Sequence, residues 1–311
     1  ALQIALMALE LRPGDEVIIP AFTYIATAEV IALLGLKPVM ADVDYETFNL
    51  TASCIKPHIT NKTKAVVPVH LYGQSCDMES ILKLAKEYDL FVIEDNAQAI
   101  GANYTFSNGR KVKAGNLGLI GTTSFFPSKN LGAYGDGGAI FTNDDHIGGR
   151  MNMIVNHGSS VRYYHDDVGV NSRLDTIQAV VLDIKLRHLD AYGAARRKAA
   201  DYYSAHLAKI DGIKPPKIAD NSDHVFHQYT LKVASGRDQI VDAMKAKGIP
   251  TGVYYPKPLH VQKAYSYYGF KEGDFPITEQ ACREVLSLPI HTELTTDTQD
   301  YIIDALKTAA S

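Results

Sequence analysis

Cysteine is scarce in this chain of 311 residues, and its three copies, Cys54, Cys76 and Cys282, are odd in number and scattered. That usage suggests no disulfide framework and fits a reducing cytoplasm. Neither sign of charge dominates: the formal net charge is −4 and the pI about 6.3. An overall basic field to hold nucleic acid or an anionic membrane is therefore lacking, and an anionic nucleotide would need a local basic patch. Long hydrophobic runs are lacking too. The most apolar stretch, residues 21–40, is interrupted by Glu29 and Lys37, which argues against a spanning helix, and residues 1–10 carry no basic leader of a secretory signal. No G-x-x-x-x-G-K-[ST] or G-x-G-x-x-G follows a strand, so a nucleotidase or dinucleotide enzyme lacks its phosphate loop. H-E-x-x-H and paired C-x-x-C motifs are missing as well. Cys76-Asp77 with His70 reads as scattered core residues, and no metal is expected. Repeats and low-complexity tracts are absent.

What the chain does have is 46% hydrophobic residues, enough at this length to bury a large core and usually to divide into two domains. Leu2, Leu6 and Leu9 share one helical face before Arg12-Pro13-Gly14-Asp15 stops the helix. Strands and helices then alternate: strand 16–19, a helix through Leu34, strands 39–43 and 65–71, helix 78–88 and strand 90–95. Such alternation predicts an α/β domain with a mostly parallel sheet. Residues 105–115, polar and containing Asn108-Gly109, read as a hairpin or surface loop. Strands follow at 119–125 and 139–142, and Asn143-Asp144-Asp145 caps a helix. The loop 157–169, dense in Arg162, Tyr163, Tyr164 and His165, offers a basic, aromatic surface. A long helical region over 174–207 is expected to link two domains. Beyond the turn-rich boundary at 215–223 a βαβ-like unit is expected, with strand 225–233, helix 238–247 and strand 251–255, and then helices 277–286 and 296–309.

Two stretches carry chemistry. In T-T-S-F-F-P-S-K-N-L-G-A-Y-G-D-G-G, residues 122–138, one lysine, Lys129, lies between an apolar run and the glycines 132, 135, 137 and 138, which let the backbone approach a bulky partner such as a cofactor. A lysine amine condenses with an aldehyde to form a Schiff base, and a desolvated pocket can lower its pKa to roughly 7–8. Ser124 lies upstream, with a hydroxyl able to hold a phosphate. On this stretch alone the plainer reading, a solvated loop lysine after a Pro-Ser turn, is favoured. In L-F-V-I-E-D-N-A-Q-A-I-G, residues 90–101, a buried parallel strand ends in two carboxylates, and ligand sites of open α/β sheets lie at such carboxyl ends. Asp95 is thus placed to meet a ring nitrogen, although Asp95 and Gln98 also have the D-x-x-Q spacing of a capping box that would start a helix.

The strings E-D-N-A-Q-A-I-G-A from Glu94, S-F-F-P-S-K-N-L-G-A-Y-G-D-G-G-A-I from Ser124 and G-V-N-S-R-L-D-T-I-Q-A from Gly169 follow one another in order. Together they resemble the DegT/DnrJ/EryC1/StrS sugar aminotransferases, pyridoxal-phosphate enzymes of the aspartate aminotransferase fold. The likeness runs from P-G-D-E-V-I-I-P-A-F-T-Y near the start to V-L-S-L-P-I-H near the end. It implies an α/β chain of PLP-dependent transferase fold type I, with a mostly parallel central sheet and a smaller C-terminal α/β domain. A large PLP-binding domain is expected over 1–190 and a small domain with its linking helix over 191–311. Related enzymes carry some tens of residues before the first helix, including a Ser-Gly-Thr turn that grips the cofactor phosphate. The sequence lacks that turn, so the chain is expected to be a fragment of a longer product or to have lost part of its phosphate cup.

The resemblance also implies roles. Lys129 would anchor pyridoxal 5'-phosphate and move the proton between substrate and cofactor carbons, and Asp95 would keep the ring nitrogen protonated. Gln98 would touch the ring hydroxyl, Ser124 the phosphate, and Asn171 the phosphate of a neighbouring subunit's cofactor, which implies a homodimer with shared sites. An aromatic at Tyr24 would stack on the pyridine ring; without the family it reads as a core tyrosine. Arg173 would meet a substrate or donor carboxylate, and Tyr255 and His260 are further substrate candidates. Lys129, where a dehydratase branch has histidine, favours amino transfer. The wording is most similar to members that aminate C3 of a nucleotide-linked keto sugar in amino-sugar and polysaccharide biosynthesis. L-glutamate is the implied donor and UDP-2-acetamido-2-deoxy-3-oxo-glucuronate the first acceptor to test, although Tyr254-Tyr255-Pro256 stands where some relatives have His-Tyr-Pro. The competing expectation is a non-catalytic regulator or truncated scaffold that keeps the fold.

Overall fold

Glu16–Pro20 is buried along its whole length, which a strand with one wet face cannot be. Val17 and Ile19 join a core with Ile31 of the helix Ala26–Leu33 and Ile4 and Leu6 of the helix Leu2–Ala8. Ile18 turns the other way, toward Ile81, Leu84 and Ala85 of the helix Met78–Glu87. Helices on both faces are the usual setting of a parallel sheet, which is why these strands read as continuous apolar runs. The structure, a computed structural model, describes residues 1–310.

In chain order the strands of this first half are β1 (Glu16–Pro20), β2 (Lys37–Ala41), β3 (Thr63–Val66), β4 (Phe91–Asp95), the hairpin β5 (Asn103–Thr105) and β6 (Lys111–Lys113), β7 (Ile120–Ser124) and β8 (Gly138–Phe141). Six of them form one sheet in the order β2-β1-β3-β4-β7-β8. All neighbours run parallel except β8, which is antiparallel to β7. The order reverses direction at β1, between β2 and β3, and ligands of such sheets bind beyond the carboxyl ends near that reversal. The carboxyl ends of β1, β4 and β7 lead respectively to Tyr24, Asp95 and Lys129.

Past a small ribbon of β9 (Ser159–Val161) and β10 (Tyr164–His165), two helices follow, Thr176–Leu186 and Leu189–Leu207, where one long helical region is expected. The break is a tightened turn in which the His188 amide closes on the Lys185 carbonyl at 2.9 Å. A second sheet, β11 (Ile213–Lys214), β12 (Tyr229–Val233) and β13 (Val285–Leu288), is antiparallel throughout. Its core joins Tyr203 and Leu207 to Tyr229, Leu231, Met244 and Leu306. The expected βαβ unit is not formed. Residues 251–255 supply one isolated bridge, Gly252 to Ser287, and then leave for the first sheet, where the Tyr72 hydroxyl donates to the Tyr254 carbonyl. Tertiary contact there outweighs strand preference. The third strand comes instead from V-L-S-L, which takes the last two positions of the expected helix 277–286 and the two residues after it, all four buried.

Candidate active site

Where β1, β4 and β7 end, a cavity of about 1560 Å³ opens, lined by Tyr24, Asp95, Gln98, Ser124, Lys129 and Tyr255 among others. Asp95 is 5% exposed. Its Oδ2 accepts from the Thr27 hydroxyl at 2.8 Å and its Oδ1 from the Ala97 amide at 3.1 Å. That Asx turn replaces the expected helix start: residues 96–101 form turns and no helix. Gln98 is turned to other work, its Oε1 accepting from the Tyr72 amide at 2.6 Å and its Nε2 donating to the Tyr255 hydroxyl at 3.2 Å. An amide nitrogen has two hydrogens, so one is left for a ligand.

Lys129 leaves the turn after β7, its amide donating to the Phe126 carbonyl at 2.8 Å. Burial lowers the pKa of its amine, and the charge of Asp95 acts in the opposite direction. The two groups that sequence placed 34 positions apart therefore share one cavity and feel each other's charge. Of the glycines that follow, Gly137 and Gly138 line the cavity, and Gly132 and Gly138 lie against the chain's own backbone. A Cβ on Gly132 would stand 2.3 Å from the Pro127 carbonyl oxygen, and one on Gly138 would stand 2.7 Å from that of Thr123. They let the loop fold on itself.

Ser124 lines the cavity beside Ser128, and Asn171 and Arg173 reach it from the chain before the helix Thr176–Leu186. Tyr24 keeps 59% of its surface open, as a stacking platform would, and its ring lies 6.1 Å from that of Tyr255. Burial raises the Tyr255 pKa, so it remains a neutral phenol. His260 is not brought to this cavity. It is 1% exposed, with Nε2 3.0 Å from Glu279 and its ring 4.8 Å from that of Phe275, so it is a core residue.

Several participants had no local signal. Thr27, 68 residues from Asp95, is one. Glu94 is another: fully buried, it accepts from His70 Nε2 and from the amides of Gly115, Leu117 and Gly118, tying the end of β4 to the loop before β7. Thr23 and His227 line the cavity with a sealed, unpartnered polar atom each, Oγ1 and Nδ1. An amine, an acid, hydroxyls and an open aromatic face around one cavity fit a phosphorylated pyridine aldehyde.

The family model of the DegT/DnrJ/EryC1/StrS aminotransferases matches residues 1–307. The chain is 49% identical over 308 residues to the pleiotropic regulatory protein of Geobacillus stearothermophilus, with 98% of this chain and 81% of that protein covered. It is 46% identical over 306 residues to the UDP-2-acetamido-2-deoxy-3-oxo-D-glucuronate aminotransferase of Pseudomonas aeruginosa, covering 98% and 82%. Among solved structures, DesV of S. venezuelae in complex with a ketimine intermediate superposes with a TM-score of 0.94 at 40% identity, covering 100% and 82%. Related solved structures include PMP-bound and PLP forms.

Proposed function

We propose, from the premise that this chain belongs to the DegT/DnrJ/EryC1/StrS aminotransferase family and is a PLP-dependent sugar aminotransferase of the α/β transferase fold, that it aminates a nucleotide-linked 3-keto sugar with L-glutamate as donor. Aminotransferase relatives at 46% and 40% identity favour catalysis over a non-catalytic regulator or truncated scaffold that keeps the fold. The first acceptor to test is UDP-2-acetamido-2-deoxy-3-oxo-glucuronate, named for the 46% identical relative. The observation that carries the reading is Lys129 and Asp95 in one cavity, with the amine's pKa lowered by burial.

When bound, pyridoxal phosphate supplies an aldehyde carbon that takes and returns the amino group and a ring that draws electrons from the reacting carbon. Lys129 then has two duties, to hold that carbon covalently and to move a proton across it. The lowered pKa keeps a larger share of the amine uncharged near neutral pH than an exposed lysine would have. Asp95, its carboxylate oriented by the Thr27 hydroxyl and the Ala97 amide, would hold a proton on the ring nitrogen through a bond worth on the order of 1.5–3 kcal/mol. Gln98 would offer its spare N–H to the ring hydroxyl, Ser124 its hydroxyl to the phosphate, Tyr24 its face to the ring, and Arg173 its guanidinium to a carboxylate.

A homodimer is part of the reading. Ile177, Val180 and Ile184 sit at i, i+3 and i+7 on one helix and are 75%, 57% and 57% exposed, an apolar row that a second copy would cover. Asn171, just upstream, would then serve the neighbouring site. The division into a cofactor domain to about residue 190 and a smaller domain beyond it is supported by the separate core around β12 and β13, with Leu259, Tyr265 and Phe275 returning to the core of the first sheet. Among the described residues no helix is long and apolar enough to cross a membrane.

The test is direct. Purified protein with pyridoxal phosphate should show a visible band that bleaches on adding L-glutamate, and mass spectrometry should then find the amino sugar from the UDP-linked 3-keto uronate. Bleaching without product from that acceptor or from other UDP- and dTDP-keto sugars would defeat the substrate reading.

A further inference from the structure

Beside Lys129 stands a side chain with no role so far, His227. The segment that carries it is tied down on several sides. The Val225 amide donates to the Gly73 carbonyl at 2.9 Å and the Gln228 amide to that of Tyr72 at 3.2 Å. Asn130, next in the chain to Lys129, donates to the Val225 carbonyl at 2.9 Å, and the Arg196 guanidinium to that of Phe226 at 2.9 Å. Phe226 has a φ of +47°, a left-handed conformation unfavourable to a bulky residue. It is held there by its amide bond to His224 Nδ1 at 3.0 Å and by stacking on that ring at 3.9 Å. Gly73, at φ +114°, has no room for a Cβ, which would stand 2.9 Å from the Phe226 nitrogen. Strain of this kind persists where surrounding contacts over-determine it, and here it aims the imidazole of His227 at the cavity wall.

Neither ring nitrogen of His227 has a protein partner. Nδ1 is sealed from solvent, so Nε2 is the atom open to the cavity. Burial, then the charges of Lys129 and Arg196, push its pKa well below the usual histidine value, and it is neutral at physiological pH. A neutral imidazole has one proton to place. A sealed, unpaired acceptor is tolerated better than a sealed, unpaired N–H, so the proton belongs on Nε2. Of the side chains lining the cavity, only Lys129 and Arg173 are cationic.

Resting on the sugar-aminotransferase reading, we infer that His227 donates Nε2–H to an uncharged oxygen of the keto sugar, its carbonyl or an adjoining hydroxyl. The oxygens of L-glutamate are all carboxylate oxygens, which are held best by a cation, and Arg173 supplies one. An uncharged donor instead matches the hydroxyls that only the sugar brings, beside the carbonyl that it presents to the amine. His227 is thus a specificity group for one of the two half-reactions that share the cavity.

The experiment separates those half-reactions in single-turnover measurements on the holoenzyme. For His227→Ala, the step with L-glutamate should stay within about twofold of wild type, while the step with UDP-2-acetamido-2-deoxy-3-oxo-glucuronate slows roughly ten- to hundredfold. His227→Gln, which keeps an N–H donor but cannot titrate, should recover much of that loss, and the deficit of the alanine variant should be constant over about pH 6 to 8. Calorimetry should show the product amino sugar binding more weakly to the alanine variant. Equal losses in both half-reactions, or an unchanged sugar step, would overturn the inference. A wild-type enzyme that reacts with glutamate but with no nucleotide-linked keto sugar would instead overturn the function on which it rests, and that result comes before any variant is compared.

Discussion

Replacing Glu94 by glutamine tests whether a buried charge holds the end of β4 to the loop before β7. One carboxylate oxygen accepts from the Leu117 and Gly118 amides at 2.6 and 2.7 Å, the other from the Gly115 amide and His70 Nε2, each at 2.8 Å. Four donors surround the group, an arrangement that an anion satisfies. In the variant, one oxygen can keep two of these bonds, but the new NH2 faces two N–H groups. His70 cannot turn acceptor at Nε2 without loss, because its Nδ1 already accepts from the Cys76 amide at 3.2 Å. Leaving two buried donors without an acceptor costs about 1–3 kcal/mol each. At roughly 2–4 °C per kcal/mol, the Tm measured by calorimetry at pH 7 should fall by on the order of 10 °C. Burial pushes the Glu94 pKa up, but His70 and the amides of Gly118 and Gly115 outweigh it and hold the pKa below the usual glutamate value. A carboxylate with a lowered folded-state pKa stabilises fully above its unfolded value, about 4.3, and loses that contribution as pH falls through the lowered one. The gap between wild type and variant should therefore narrow in acid below about pH 4. A fall of under about 3 °C, or a gap that stays constant in acid, would refute the reasoning.

Lys129→Ala should abolish the covalent visible band of the holoenzyme, and an unchanged band would defeat the assignment of the anchoring amine. Because Asp95 raises the Lys129 pKa against burial, Asp95→Asn should move the pH midpoint of cofactor capture by the apoenzyme downward, as followed by absorbance; an upward shift would contradict the coupling. Gly73→Ala places a methyl 2.9 Å from the Phe226 nitrogen at a positive φ, and should cost about 1–3 kcal/mol in denaturant titration with a further loss in the sugar half-reaction. Ile177→Asp with Val180→Asp should shift the species seen in light scattering from dimer to monomer; a wild type already monomeric would remove the shared-site reading.

The α/β alternation was legible because strands buried on both faces read as apolar runs, as in V-I-I and F-V-I, between helices of separate phase. Lys129 and Asp95 could be picked out because each follows such a run, and chemistry collects at carboxyl ends of parallel strands. Orientation was less legible. His260 lies in a stretch that reaches the cavity at Tyr255, yet its ring turns toward Glu279 and Phe275. Of the glycines after Lys129, Gly137 and Gly138 line the cavity, while the approach of Gly132 and Gly138 to the chain's own backbone had no local signal. Residues 251–255 carry strand-forming side chains and still leave the second sheet, drawn by Tyr72 and Gln98.

From sequence alone came the periodicities, the residue types able to bind an aldehyde and a ring nitrogen, and the family wording that joins them. These depend on neighbours a few positions apart, within reach of any local pattern. Tertiary structure decided that Thr27 orients Asp95, that Glu94 is stapled to the loop before β7, and that His227 lines the cavity on a segment held by Gly73, Asn130 and Arg196. Each of those depends on groups far apart in the chain whose backbones must approach within a hydrogen bond, and only the packed sheet and its covering segments impose that distance.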